Sequence, residues 1–186
     1  IRKIALVVGP MGEQIIDFAE KKYPDCEVLP VPQDEPQGLG HAVFLAREKT
    51  DGLPLLIIYG DTVFEGDLSE AASLTSDGVI GIRKVKDPSR FGVVEVENKR
   101  IVRLVEKPDT YVSDLAIVGI NFIRNSSLLF SCLDTMIQRN RRTRGEYQLT
   151  DAFSLMVESG AELKTFLVDN WFDCGAPESL LDTNRH

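Results

Sequence analysis

The sequence predicts an α/β fold of the Rossmann-like, doubly wound kind: a mixed, mainly parallel sheet with helices on both faces. Three observations predict it. Short apolar runs of strand length end abruptly at glycine, as at residues 4–8 before Gly9-Pro10 and 55–59 before Gly60-Asp61. Stretches with apolar residues at helical spacing lie between them. Strands that alternate with helices at this separation form βαβ units, whose parallel strands are buried on both faces and read as continuous apolar runs.

Taken in order, residues 4–8 read as a buried strand, and 11–23 as a helix with Ile15, Phe18 and Ala19 on one face, stopping before Pro24. Residues 27–31 read as a second strand, followed by a polar loop over 32–38. Residues 41–49 are helical, with Ala42, Leu45 and Ala46 aligned, and 55–59 form a third buried strand. From about Gly78 the pattern changes to closely spaced strands at 79–85, 93–96 and 101–106, punctuated by Pro88, Gly92 and Asn98. A strand at 115–123, helices near 127–139 and 149–159, and a strand at 163–168 complete the chain before Trp171-Phe172-Asp173. No repeat, low-complexity tract or Pro/Gly-rich linker divides the chain, so residues 1–186 read as one domain, long enough to bury a core.

The formal net charge of −8 argues against nucleic acid or an anionic membrane as the partner. It leaves room for a small phosphorylated ligand, because a metal or a few cations reverse the field inside one pocket. Three widely spaced cysteines, Cys26, Cys132 and Cys174, make neither a zinc pattern nor a disulfide framework. No apolar run is long enough to span a bilayer and no signal peptide is visible, so the expected compartment is the cytoplasm.

Four groups of residues carry the candidate chemistry. Asp61 follows a buried strand and Gly60, at the carboxyl end of a strand, where ligands bind in open α/β sheets. Asp173 also follows a strand, more than a hundred positions later, and two such carboxylates suit magnesium, a hard cation that takes one or two carboxylates beside phosphate oxygens. Glu106-Lys107-Pro108 closes a strand: the carboxylate accepts hydrogen bonds from sugar hydroxyls, and the lysine is a point charge for phosphate. Gln33 offers an amide that donates and accepts against a base edge, and Gly38 admits a close backbone approach. Each alone also reads as an ordinary turn, ion pair or polar loop.

Their order is more specific. Gln33…Gly38-Leu39-Gly40-His41-Ala42, Gly60-Asp61, Phe91-Gly92-Val93-Val94-Glu95, Glu106-Lys107-Pro108, Val118-Gly119-Ile120, Gly145-Glu146-Tyr147-Gln148-Leu149-Thr150-Asp151 and Trp171-Phe172-Asp173-Cys174-Gly175 together resemble the nucleotide-sugar pyrophosphorylases, the glucose-1-phosphate thymidylyl- and uridylyltransferases and their relatives. The resemblance covers nearly the whole chain. It implies the nucleotide-diphospho-sugar transferase fold and nucleotidyl transfer from a nucleoside triphosphate, dTTP or UTP favoured, to a sugar 1-phosphate with release of pyrophosphate. It implies Mg2+ at Asp61 and Asp173, with Asp61, Lys107 and Asp173 as the catalytic set. It implies base contacts from Gln33 and Gly38, and a sugar site of Gly92, Glu106 and Gly119. It also implies that Lys107 holds the sugar phosphate, that Glu146 borders the site and that Trp171 packs beside the metal loop. His41 is structural or pocket-lining. The expected partners are the two substrates, with a homo-oligomer compatible and neither nucleic acid nor membrane involved.

One part of the family pattern is absent from the sequence. Relatives open with a strand and a glycine-rich loop bearing an arginine and then a lysine, and the strand at 4–8 matches their second strand, so the first βα unit is missing and the domain reads as incomplete at its N-terminus. That strand normally sits mid-sheet. Each orphaned buried backbone group costs about 1–3 kcal/mol, against a total stability of about 5–15 kcal/mol. The gap is therefore closed by an encoded segment, by a partner chain, or by direct pairing of 4–8 with 55–59. Activity is expected to need the missing loop. The alternative reading is a non-catalytic nucleotide-sugar binding or regulatory subunit on the same fold; retention of Asp61 and Asp173 favours the enzyme.

Overall fold

The structure is a computed structural model and describes residues 1–50, 52–65 and 68–174, the side chains of Glu70 and Asp173 excepted. In chain order the elements are β1 (Lys3–Val8), α1 (Glu13–Lys22), β2 (Glu27–Pro32), α2 (Leu39–Leu45), α3 (Arg47–Thr50), β3 (Leu55–Ile58), β4 (Thr62–Glu65), α4 (Ser69–Ser73), β5 (Gly78–Lys84), β6 (Gly92–Glu97), β7 (Arg100–Glu106), β8 (Leu115–Ile123), α5 (Ser126–Gln138), α6 (Leu149–Glu158), β9 (Leu163–Leu167) and β10 (Asn170–Asp173).

The principal sheet has the strand order β3-β8-β5-β9-β7-β6. At its heart lies β8, whose residues 116–121 are all buried, antiparallel to both β3 and β5. The architecture is the mixed α/β sheet expected. Parallel pairing is confined, among the described residues, to β1–β2 and β5–β9. That share is smaller than the apolar runs imply, because a run such as 115–123 reports burial on two faces and carries no information on strand direction. The β6–β7 hairpin turns at Asn98 and Lys99, both with positive φ (50° and 65°), the backbone that matches the twist of its strands.

Side chains on one face of the sheet, among them Ile80, Ile82, Ile117 and Ile123, pack against Leu129, Leu133 and Met136 of α5 and Phe153 and Met156 of α6. On the other, Val118 and Ile120 of β8 pack with Val168 and are covered by Phe64, Leu68 and Trp171. Phe64 and Trp171 belong to a two-stranded ribbon, β4 with β10, that the apolar pattern does not mark as strands. Helix α5 starts at Asn125, whose side chain accepts from the Leu128 amide and donates to Asp77 at 2.8 Å.

Direct closure of the sheet does not occur. Among the described residues β1 pairs with β2 alone and β3 with β8 alone, so each keeps an unpaired edge. Ile15 and Phe18, the apolar face expected of α1, are exposed, as is Ile58 of β3; Ala19 alone of that helix is buried. No helix among the described residues is long and apolar enough to cross a membrane.

Candidate active site

Strand β7 ends at Glu106, directly opposite Gly92 at the start of β6. The Glu106 carboxylate is largely buried and its Oε2 accepts a 2.7 Å hydrogen bond from Thr150 Oγ1, in the first turn of α6. Gly92 is the residue that permits this. A Cβ there would stand 2.5 Å from Thr150 Oγ1 and 2.9 Å from Glu106 Oε2. Burial pushes the Glu106 carboxyl above its usual range, helped by Asp151 and Glu146, while the Thr150 hydrogen bond and Lys107 pull it back.

Lys107 leaves the strand with a left-handed backbone, φ 42°, and its ammonium lies 3.9 Å from Glu106 Oε1. Two contacts hold that geometry: the Lys107 amide donates to Phe91 O at 3.0 Å, and its carbonyl accepts from Arg144 Nη2 at 2.9 Å. Arg144 also pairs with Asp109 at 2.8 Å.

A second arm comes from the loop after β2. The Gln33 amide N–H donates to Val8 O, at the end of β1. Gly38, at φ 105°, lets the chain pass against residues 146–147; a Cβ there would lie 2.7 Å from Tyr147 O and 2.8 Å from Glu146 Cβ. The Tyr147 amide donates to Gln37 O, and the Gly40 amide donates to Tyr147 O. This stitching holds the loop carrying Gln33 and Gly38 against the segment carrying Glu146, whose Oε2 accepts from Gln148 at 3.1 Å.

The third arm is the β4–β10 ribbon. Its register sets Asp173 opposite Thr62, the residue after Asp61, and the Cys174 amide donates to Asp61 O at 2.9 Å. Asp173 thus ends a paired strand instead of lying in a loop beyond one. The Asp61 carboxylate is exposed and makes no side-chain hydrogen bond or ion pair among the described residues. The Asp173 side chain lies outside the described residues. Two hard oxygen donors on neighbouring strand ends fit magnesium, which completes its shell with water and phosphate oxygens. No cluster of three or more metal-ligating side chains occurs among the described residues.

Tyr59 links the arms. It is packed beneath Gly119, where a Cβ would come within 2.7 Å of the tyrosine ring, and burial pushes its hydroxyl pKa far up. The carboxylates of Glu106 and, more weakly, Asp61 add to that rise, and the neighbouring Asn121 side chain opposes it. Trp171 packs edge-on against Phe91, ring centroids 5.5 Å apart, which ties the ribbon to the start of β6. Gly92, Glu106, Lys107 and Gly119 therefore gather with Asp61 around Tyr59, while Gln33, Gly38 and Glu146 form the adjoining wall. Sequence reasoning missed the parts played by Tyr59, Thr150 and Arg144. Thr150 stands inside a quoted motif, but Arg144 is one of several arginines in 139–144 with no signal to single it out.

Comparison with known proteins bears on the family and the fold. Residues 1–186 match the model of the family described as Nucleotidyl transferase. The bifunctional protein GlmU of Methanococcus vannielii is 32% identical over an alignment that covers all of this chain and 44% of that protein. The low-salt glycan biosynthesis nucleotidyltransferase Agl11 of Haloferax volcanii is 28% identical over all of this chain and 53% of its own length. The chain thus spans less than half the length of that GlmU relative. A Bacillus anthracis protein assigned as a glucose-1-phosphate thymidylyltransferase, solved with a sucrose, superimposes with a TM-score of 0.80 at 25% identity, covering 98% of this chain and 74% of that one. A UDP-glucose pyrophosphorylase solved with UDP-glucose shares the fold, with a TM-score of 0.79 at 20% identity over 99% of this chain and 80% of that one. With a family model that spans residues 1–186, relatives above 30% identity over the whole chain and a shared mixed α/β sheet, the chain belongs to the nucleotidyl transferase family, among its nucleotide-sugar pyrophosphorylase-like members.

Proposed function

We propose that this domain transfers a nucleotidyl group from a nucleoside triphosphate, dTTP or UTP, to a sugar 1-phosphate. A phosphate oxygen of the sugar 1-phosphate attacks the α-phosphorus; a P–O bond forms, the bond to the β-phosphate oxygen breaks, and pyrophosphate leaves. No covalent enzyme intermediate is needed, so the protein's task is alignment of two polyanions and neutralisation of their charge. Gln33 and Gly38 meet the base. Gly92, Glu106 and Gly119 hold the sugar, with Glu146 at the border and Trp171 bracing the ribbon. Lys107 holds the sugar phosphate. Asp61 and Asp173 would hold Mg2+, which when bound supplies charge neutralisation at the phosphates. The triphosphate tail also calls for backbone donors and cations to cradle it. Activity is accordingly proposed for the protein in which a cis or trans segment supplies them.

One observation above all supports the reading: the β4–β10 register aligns Asp173 with the neighbour of Asp61, and Tyr59 feels the charges of both Asp61 and Glu106. The test is pyrophosphate release by the full-length protein over a panel of nucleoside triphosphates and sugar 1-phosphates. Turnover should require magnesium and fall by about 100-fold or more in Asp61→Ala and in Asp173→Ala, with melting temperature little changed for the exposed Asp61. Full activity in either variant would overturn the metal assignment.

A further inference from the structure

Gln33 does not point its amide freely into the cleft. Its Nε2 lies 3.1 Å from Nδ1 of His41, the third residue of α2. An amide N–H can only donate, so the imidazole nitrogen facing it must carry a lone pair, and the ring is neutral with its proton on Nε2. Oxygen and nitrogen lie in the amide plane on opposite sides of the Cγ–Cδ axis. With Nε2 engaged by His41, Oε1 is turned away from the ring as a fixed acceptor. If His41 gained a proton, Nδ1 would become a donor, and the amide would have to turn over to offer it Oε1. The outward group would then be the NH2.

We propose that His41 is a positioning residue that sets the hydrogen-bonding polarity of Gln33, so that the neutral imidazole selects a base whose ring nitrogen carries a hydrogen, and protonation of His41 reverses that selection. This rests on the nucleotidyl-transfer reading and on Gln33 meeting the base. Uracil and thymine present N3–H; cytosine presents a bare N3 beside an amino group. An acceptor at Oε1 suits the first pair and leaves cytosine's N3 lone pair facing another lone pair.

The surroundings of His41 are built to keep it neutral. The Arg142 guanidinium stacks 4.1 Å above the Tyr147 ring, whose centroid is 6.5 Å from that of His41. Arg142 is held there by hydrogen bonds to Gln37 Oε1 at 2.7 Å, Asn140 Oδ1 at 2.9 Å and Gly145 O at 3.1 Å. The Tyr147 hydroxyl is tied to the same Asn140 oxygen. Burial first, and this fixed cation second, hold the imidazole below its ordinary range, while Glu35 on the loop after β2 works the other way. His41 is therefore held in its neutral form more firmly than an ordinary imidazole, which favours this base selection at neutral pH.

The experiment is calorimetric binding of UDP-glucose, dTDP-glucose and CDP-glucose to the full-length protein from pH 5.5 to 8, repeated with the N-acetylglucosamine counterparts. These diesters have no group of their own that titrates in this range, so a pH effect belongs to the protein. The wild type should prefer uracil or thymine over cytosine by about 5–10-fold at pH 8, and the preference should shrink as pH falls through the His41 transition. His41→Asn places an amide oxygen where Nδ1 stood, so it should keep the preference and lose its pH dependence. His41→Phe should lose the preference at every pH. A wild-type preference that is absent or unaffected by pH, or an Asn variant that titrates like the wild type, overturns the proposal, and the Asn result stands alone if the Phe variant does not fold. Failure of the wild type to bind any of these ligands would instead sink the nucleotidyl-transfer reading, and this inference with it.

Discussion

Replacing Gly92 by alanine puts a methyl group into a space that the Glu106–Thr150 hydrogen bond already fills. The new carbon would stand 2.5 Å from Thr150 Oγ1, 2.9 Å from Glu106 Oε2 and 3.2 Å from Thr150 Cγ2. Glu106 Oε2 is the end of a side chain and can give way, but Thr150 is buried in the first turn of α6, and its hydroxyl must leave the carboxylate. A hydrogen bond to a charged acceptor contributes about 1.5–3 kcal/mol, and overpacking a core adds about 1–3 kcal/mol. The expected loss is therefore about 2.5–6 kcal/mol, a large part of a domain's stability. Thr150→Ala should cost about 2 kcal/mol, since the same bond is lost and Glu106 is left underpaired. The double variant should cost no more than the worse single one, because removing the threonine side chain also removes most of the clash. Urea denaturation at pH 7 of wild type, both single variants and the double variant closes the cycle, with an expected coupling of about 1.5–2 kcal/mol. Additive effects, within about 0.5 kcal/mol, would refute the claim that Gly92 exists to admit this bond.

Two further outcomes follow from the same cleft. Glu106 has its pKa raised mainly by burial, so the folded protein binds its proton more tightly than the unfolded chain does; its contribution is favourable below the ordinary glutamate pKa and is lost as pH rises through the higher folded value. Glu106→Gln should therefore raise the melting temperature at pH 7 relative to wild type, with the gain vanishing at acid pH, while weakening sugar-phosphate binding by about 10-fold or more; a variant less stable at pH 7 than wild type would contradict this. Arg144→Ala removes the donor that holds the Lys107 carbonyl at φ 42° and should raise KM for the sugar phosphate by about 3–10-fold with a smaller change in kcat. Steady-state kinetics separate the two effects, and an unchanged KM would refute the positioning role of Arg144.

Much of this was legible in the sequence because it depends on local physics. Strands β1, β2, β3 and β5 to β9 announce themselves by apolar runs bounded by turn residues, and α1, α5 and α6 by helical spacing. Asn98 marks the β6–β7 turn because few residues accept a positive φ. Strands β4 and β10 gave no such signal. Each is a short segment whose strand character comes from its partner, and Thr62–Glu65 finds that partner more than a hundred residues away. The polarity of β8 was equally hidden, since burial on two faces looks alike in either direction.

The same division runs through the site. Asp61, Asp173, Glu106 and Lys107 each read alone as an ordinary turn, loop or ion pair, and only the order of motifs, through the family resemblance, singled them out. What surrounds them came only from folding. Register brought Asp173 to Thr62, helix packing brought Thr150 to Glu106, and the meeting of two loops put His41 against Gln33 and Arg142 above Tyr147. The sequence by itself determined most of the elements, the family and the chemical groups, since those follow from side-chain type, short-range spacing and motif order. The tertiary structure alone decided their pairings, because a hydrogen bond about 3 Å long between residues far apart in the chain is set by how the sheet and its covering layers pack.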